Sequence, residues 1–265
     1  MKNWSGDNFT LQVQEGVCEF TLHAGKANAI SADVSQEMGL VFQDVRDDPA
    51  VKILIITAKG EKFFCPGWDL KSAAAKGEFP DIDYGVGGFV GLQELPDMNK
   101  PIIAAVNGIA CGGGFEWMLS TDIIIAADHA SFALPEVRVG VFPDAASIKL
   151  MRRVPYHIAM GMLLLGRWLK ADEALRWGLI NEVVGIKDLL PRAHSIAKTL
   201  AEGPPLVFQA IKEAVRESQN LPIQDAFHKT RDGGFPAVYK CNHSQDMLEG
   251  TKAFAEKRKP IWQGK

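Results

Sequence analysis

The sequence predicts an α/β fold, a parallel sheet with helical crossovers followed by a tail of helices, on three observations. Three apolar runs, Val51–Thr57, Ile102–Val106 and Asp122–Ala127, show no polar–apolar alternation; such runs suit strands buried on both faces of a parallel sheet. Segments with helical periodicity lie between them, and strand–helix alternation from residue 50 to 185 argues for right-handed crossovers. From about Asp188 only helical patterns remain, punctuated by Pro204-Pro205 and Pro222.

In chain order, Phe9–Gln14 and Val17–Leu22 alternate and flank Glu15-Gly16, which predicts a hairpin. Ser31 reads as the N-cap of a helix whose apolar positions are Val34, Met38, Val41, Phe42 and Val45; Pro49 closes it. After the strand at 51–57, Gly60, Pro66 and Gly67 force turns, and Trp68-Asp69 sits where a short alanine-rich helix begins. Residues Phe79–Gly91, rich in glycine, aspartate and proline, predict a mobile loop bordering a pocket. Ser131–Leu134 reads as another short strand, and a helix starts near Asp144. In the tail, helices are expected at Leu189–Ala201, Leu206–Ser218, from Ile223 to Phe227 and onward, and at Ser244–Arg258.

The chemistry concentrates between Lys100 and Asp122. After the Ile102–Val106 strand and the Asn107-Gly108 turn come three glycines, Gly112 to Gly114, and then a helix-like run carrying Glu116. Glycine lets backbone approach a ligand closely, and a helix start leaves N–H groups free for anything gaining negative charge. Phe115 and Trp117 place the Glu116 carboxylate in apolar company, which raises a carboxyl pKa towards neutral and suits proton transfer. Taken alone, the triplet fits close helix–strand packing equally well, and the glutamate fits a dipole partner.

Composition bounds the rest. The 265 residues are 47% hydrophobic and 23% charged, an ordinary globular balance, and a net charge of −3 gives no electrostatic case for nucleic acid. No apolar run approaches membrane-spanning length and the N-terminus lacks a signal-peptide core, so a cytoplasmic protein is expected. Cys18, Cys65, Cys111 and Cys241 lack CxxC spacing and fit reduced thiols; no histidine pair suggests a metal, and none is expected.

Three ordered blocks, FFCPGWDLK, VNGIACGGGFE and ASFALPEVRVG, resemble the crotonase (enoyl-CoA hydratase/isomerase) superfamily, from Lys26 to the C-terminus. Further details, including GEFPDIDYGVGGFVGL, ADEALRWGLINEVV and AFAEKRKPIW, are similar to its carnitinyl-CoA dehydratase (crotonobetainyl-CoA hydratase) branch. The resemblance implies a ββα spiral core over residues 1–198 with the active site, then a helical trimerisation region over 199–265. It implies homotrimers or dimers of trimers, and no cofactor beyond the coenzyme A carried by an acyl-CoA thioester substrate.

By the same resemblance, the backbone N–H groups of Trp68 and Gly113 form an oxyanion hole for the thioester oxygen. Glu136 exchanges the proton at Cα, and Glu116 holds the water or hydroxyl at Cβ. Lys26, Ala27, Asp69, Leu70, Lys71 and Lys257 are the coenzyme A contacts. Tyr84, Phe89 and Trp117, with Trp68, are candidates to border the acyl end, where aromatic faces would take a trimethylammonium. Two glutamates favour hydration of a 2-enoyl-CoA, with carnitinyl-CoA to crotonobetainyl-CoA as the expected pair, over isomerisation. One departure is Ala145-Ala146-Ser147 where the family commonly has two glycines after Pro143-Asp144; methyl groups there are expected to crowd the site. The rivals are a general short-chain hydratase or isomerase and, from another class, a catalytically silent acyl-CoA-binding member. No GxSxG elbow supports a serine hydrolase.

Overall fold

The computed structural model describes all residues, 1–265. Its large sheet begins with β1 (Trp4–Ser5), β2 (Phe9–Gln14) and β3 (Val17–Leu22), the last two forming the predicted hairpin. Then follow α1 (Ala32–Asp47), capped by the Ser31 hydroxyl on the Val34 N–H, and β4 (Ile53–Ala58), β5 (Phe63–Cys65) and α2 (Leu70–Lys76). The next unit is β6 (Ile102–Val106), β7 (Ile109–Cys111) and α3 (Gly113–Met118). After it come β8 (Ile123–Ala127), β9 (Ser131–Ala133), a 3₁₀ turn at Pro135–Arg138, and α4 (Asp144–Lys149). Three times, therefore, a long strand, a short strand and a helical segment succeed one another, and this repeat is the expected ββα spiral. The remaining elements are α5 (Tyr156–Leu165), β10 (Leu169–Lys170), α6 (Ala171–Arg176), β11 (Glu182–Val184), α7 (Ile186–Ala201), α8 (Pro205–Ser218), α9 (Ile223–Arg231), α10 (Pro236–Asn242) and α11 (Gln245–Ala255).

The long strands form one sheet in the order β1-β2-β3-β4-β6-β8-β11, parallel from β3 onward. The short ones form a second sheet, β10-β9-β7-β5. Continuous apolar runs in β4, β6 and β8 follow from burial of both faces. Ile53, Ile55, Ile103, Ala105 and Ile125 meet Leu189, Ala193 and Ala197 of α7 on one side. Leu54, Ile56, Ala104 and Ala126 face the main core on the other. Phe9, Phe20, Phe42, Phe64 and Trp117 form an aromatic stack within that core, with Trp117 5.0 Å from Phe64 and 5.7 Å from Phe20.

Sequence periodicity missed β1, β5, β7, β10, β11, α6 and α10, which are too short to show a period, and α5, whose YHIAMGMLLL run is apolar all round. The expected boundary at 198/199 falls inside α7, which ends at Ala201 and covers the large sheet. Beyond it, α8 docks on the core through Lys212, whose ammonium donates to the Lys100 carbonyl and to Asp122 Oδ2, both at 2.7 Å. Asp122 also accepts from the Ile102 N–H at the head of β6, so one carboxylate ties the tail to the central sheet.

The glycine triplet sets how closely α3 can lie on the second sheet. A Cβ at Gly114 would overlap the Cys65 carbonyl of β5. Replacing Gly114 by alanine should lower the unfolding free energy by about 1–3 kcal/mol through overpacking. Gly161→Ala in α5, where a Cβ meets nothing within 4 Å, should leave stability unchanged or raise it by up to about 1 kcal/mol. Urea midpoints of the two variants measure the difference; equal midpoints would contradict the close approach of α3.

Candidate active site

Two loops and two helix starts build the site. Asn28, in a left-handed conformation (φ 61), donates to the carbonyls of Lys59 and Phe63, and Asn107 donates to those of Gly60 and Phe63. These bonds pin the turn that leads through β5 to Gly67 (φ +91). There the chain runs beside Ile30, whose N–H donates to the Gly67 carbonyl while its carbonyl accepts from the Asp69 N–H, both at 2.9 Å. Backbone groups alternate in direction along an extended chain, so the Trp68 N–H between them faces the other way. It donates to no acceptor in the protein.

The Gly113 N–H is equally unpaired, because a residue at a helix start has no preceding turn to donate to. The two segments are nearly in contact: a Cβ on Gly67 would lie 2.6 Å from the Gly113 nitrogen. A side chain at Gly113 would overlap the Phe89 ring, and one at Gly112 would come within 2.9 Å of Glu136 Oε1. Gly112 itself donates to the Ala133 carbonyl at 3.0 Å, fixing the triplet to the end of β9, just before Glu136.

Both glutamates are buried, Glu116 at 5% exposure and Glu136 at 9%. Glu116 Oε1 accepts from the Ala146 N–H at 2.8 Å, and Oε2 accepts from Gln93 Nε2 at 3.4 Å. Burial, opposed by the Ala146 amide and by Gln93 and helped by the charges of Asp144 and Glu136, raises the Glu116 carboxyl to about 7. Burial likewise raises Glu136, whose Oε2 has no hydrogen-bond partner. The indole N–H of Trp68 is also buried and unpartnered. The site thus holds two carboxyls that burial raises above the usual carboxylate range, Glu116 up to about 7, beside two unused amide donors.

These groups share one cleft of about 510 Å³, lined among others by Trp68, Leu70, Tyr84, Phe89, Gly113, Glu116 and Glu136. Tyr84 and Phe89 meet edge to face at 4.9 Å. Asp81, Glu94 and Asp144 also line it, and no lysine, arginine or histidine does. Burial and the charges of Glu78, Asp144 and Asp81 push the Tyr84 phenol up to about 12. No group of three or more histidine, cysteine or carboxylate side chains is placed to hold a metal.

Two expectations are corrected, those for Trp117 and for the alanines after Asp144. Trp117 does not border the cleft: one position along α3 from Glu116, about 100° round the helix, it lies fully buried in the aromatic stack. Ala145 and Ala146 do not crowd the cleft; both are buried, and Ala146 contributes its amide to Glu116. The Asp69 carboxylate caps α2, accepting from Lys71 and Ser72 N–H, and does not line the cleft. Lys26 and Ala27 lie on the turn before Asn28, Lys71 in the first turn of α2, and Lys257 just past α11, all outside the cleft lining; the three lysines are exposed. Gln93 and Asp144 were missed as site residues. No periodicity marks an isolated glutamine in a loop, whereas Asp144 beside the expected helix start was a usable signal.

A sequence model of the family described as Enoyl-CoA hydratase/isomerase matches residues 12–265. The carnitinyl-CoA dehydratase of Proteus mirabilis (strain HI4320) is 49% identical over 256 residues, covering 96% of this chain and 98% of that protein. The carnitinyl-CoA dehydratase of Escherichia coli (strain K12) is 48% identical over 250 residues, covering 94% and 95%. Among solved structures, the enoyl-CoA hydratase of Mycobacterium tuberculosis H37Rv superposes with a TM-score of 0.87 at 32% identity, over 97% of this chain and 99% of that one. The enoyl-CoA hydratase of Bacillus anthracis superposes with a TM-score of 0.85 at 29% identity, over 98% and 100%. With its spiral core and paired carboxyls, this chain belongs to the enoyl-CoA hydratase/isomerase family.

Proposed function

We propose that the protein is a hydro-lyase that reversibly hydrates a 2-enoyl-CoA thioester, with carnitinyl-CoA and crotonobetainyl-CoA as the substrate pair. The observation that carries this reading is the meeting of two buried carboxyls, both raised above their usual range, with two unpaired amides in one cleft. In hydration, Glu116 takes a proton from water as its oxygen bonds to Cβ. The π electrons move towards the thioester oxygen, which the Trp68 and Gly113 amides stabilise as it gains charge. Each such donor contributes roughly 2.7–4 kcal/mol in comparable sites. Glu136 then delivers its proton to Cα, and dehydration runs the same steps backward.

The acyl group is the finer point, and two features support a cationic one. The cleft carries five acidic side chains and no basic one, a field that favours a quaternary ammonium and disfavours an anionic acyl end. Tyr84 and Phe89 supply faces for it. Because the lining holds no cation, the coenzyme A phosphates need charges from beyond it, and exposed Lys26, Lys71 and Lys257 are the candidates. The Ala27 and Leu70 backbone would flank the pantetheine path. No cofactor beyond the coenzyme A of the substrate is called for. Buried thiols at Cys18, Cys65 and Cys111 suit a reducing cytoplasm. Exposed apolar side chains on the tail, among them Ile211, Phe227, Leu248 and Phe254, support assembly into trimers or dimers of trimers.

A general short-chain hydratase or an isomerase is the reading to separate. Glu116→Gln and Glu136→Gln should each lower kcat for crotonobetainyl-CoA hydration by about 10²–10⁴-fold. Retention of either activity would remove the two-carboxyl mechanism, and double-bond shift of a 3-enoyl-CoA surviving in Glu116→Gln alone would favour an isomerase.

Tyr84→Leu and Phe89→Leu should reduce kcat/KM for carnitinyl-CoA by about 2- to 30-fold, with a much smaller effect on 3-hydroxybutyryl-CoA. Equal losses on both substrates would leave no role for a cation.

Catalysis requires the pair to hold one proton between Glu116 and Glu136, in either direction. The kcat/KM profile should therefore be a bell common to hydration and dehydration, falling on the alkaline side near pH 7, where the last proton leaves the pair. Steady-state rates across pH 5–9 test this; a flat alkaline side would contradict the raised carboxyl.

A further inference from the structure

Behind Glu116 lies a chain of contacts that the hydration steps do not use. The Lys149 ammonium, near the end of α4, donates to the Gln93 carbonyl at 3.2 Å and to the Ser120 hydroxyl at 3.0 Å. Ser120 in turn donates to the Glu116 carbonyl at 3.1 Å. Gln93, held by its backbone, extends its amide to Glu116 Oε2. Lys149 forms no salt bridge: none of its contacts is a carboxylate.

We propose that Gln93 is a positioning residue for Glu116, anchored by Lys149, that holds the carboxyl in one place in both of its protonation states. The proposal rests on the reading of Glu116 as the acid–base group at Cβ. The reason lies in what an amide offers. As it stands, Gln93 Nε2 donates to the carboxylate. Once Glu116 has taken a proton from water, a half-turn of the amide presents Oε1, which accepts from the new O–H. No lysine could do both, since an ammonium only donates. A direct Lys149–Glu116 ion pair would also hold the carboxyl ionised, well below neutral pH. With one amide between them, the cation stabilises the carboxylate only at a distance.

The other charges facing these groups are Asp144 and Lys149 on α4 and Glu136 on its 3₁₀ turn, around Glu116. Arg153 and Glu94 lie near Lys149. The two acids beside Glu116 oppose its ionisation. Only the Ala146 amide, Gln93 and Lys149 favour it, and Ala146 binds the other oxygen. Gln93 is therefore the one side-chain donor to the oxygen that the Ala146 amide leaves free.

Kinetics across pH on Gln93→Leu, Lys149→Met and Lys149→Arg test the proposal. Gln93 bonds both forms, but its bond to the charged carboxylate is stronger than its bond to the neutral acid, so losing it still raises the Glu116 pKa and the alkaline side of the bell moves up. In Gln93→Leu the expected shift is about one pH unit, with kcat lower by about 10-fold and KM little changed. Lys149→Met should shift the profile in the same direction, and Lys149→Arg should restore it. A purely structural loss would scale activity equally at all pH values and leave the limb in place. An unmoved limb in both Gln93→Leu and Lys149→Met would overturn the proposal. Glu116→Gln, assayed alongside, separates the two readings: activity retained in that variant removes the acid–base reading itself, whereas activity lost there with unmoved limbs removes only the role of Gln93.

Discussion

The structure depends on one constraint: a helix that begins in the protein interior must leave its first amides without intrahelical partners. Helix α3 starts beneath the second sheet, and its three glycines allow the approach because none carries a side chain into Cys65, Phe89 or Glu136. The unpaired Gly113 amide is thus brought beside a second unpaired amide at Trp68. Each would be costly if it stayed buried without a partner. On the proposed reading, a thioester oxygen that gains charge during reaction would offer that partner at the moment it is most needed.

The carboxyls follow the same logic from the other side. Glu116 and Glu136 are buried within a cleft whose other charged residues are all acidic, so ionisation is discouraged and both carboxyls are raised above their usual range, Glu116 up to about 7. Ala146, where the family commonly has a glycine, leaves its methyl in the core and its amide on Glu116. What residue 146 gives to Glu116 is its backbone amide, and its methyl stays outside the cleft lining.

Much of this was legible in the residues. The three long apolar strands, the hairpin and the capped first helix follow from periodicity and turn chemistry. The glycine triplet and the two glutamates stood out once three blocks were taken together. What stayed hidden depended on tertiary placement. The second sheet, apart from the expected β9, is made of two- and three-residue strands that carry no period. Trp117 and Glu116 are neighbours in sequence, yet a helix turns them to different surroundings, one to the aromatic core and one to the cleft. The lysines named by the resemblance as coenzyme A contacts lie outside the cleft lining and are exposed, so their side of the site is set by tertiary placement that sequence order does not show.

The central claim is that one oxygen of the substrate sits between the amides of residues 68 and 113, and a crystal structure with a non-reacting acyl-CoA tests it most directly. The account predicts the thioester oxygen about 2.7–3.1 Å from both nitrogens, with Glu116 and Glu136 against Cβ and Cα. A thioester oxygen that contacts neither amide, or a reacting carbon chain lying away from both carboxyls, would contradict it.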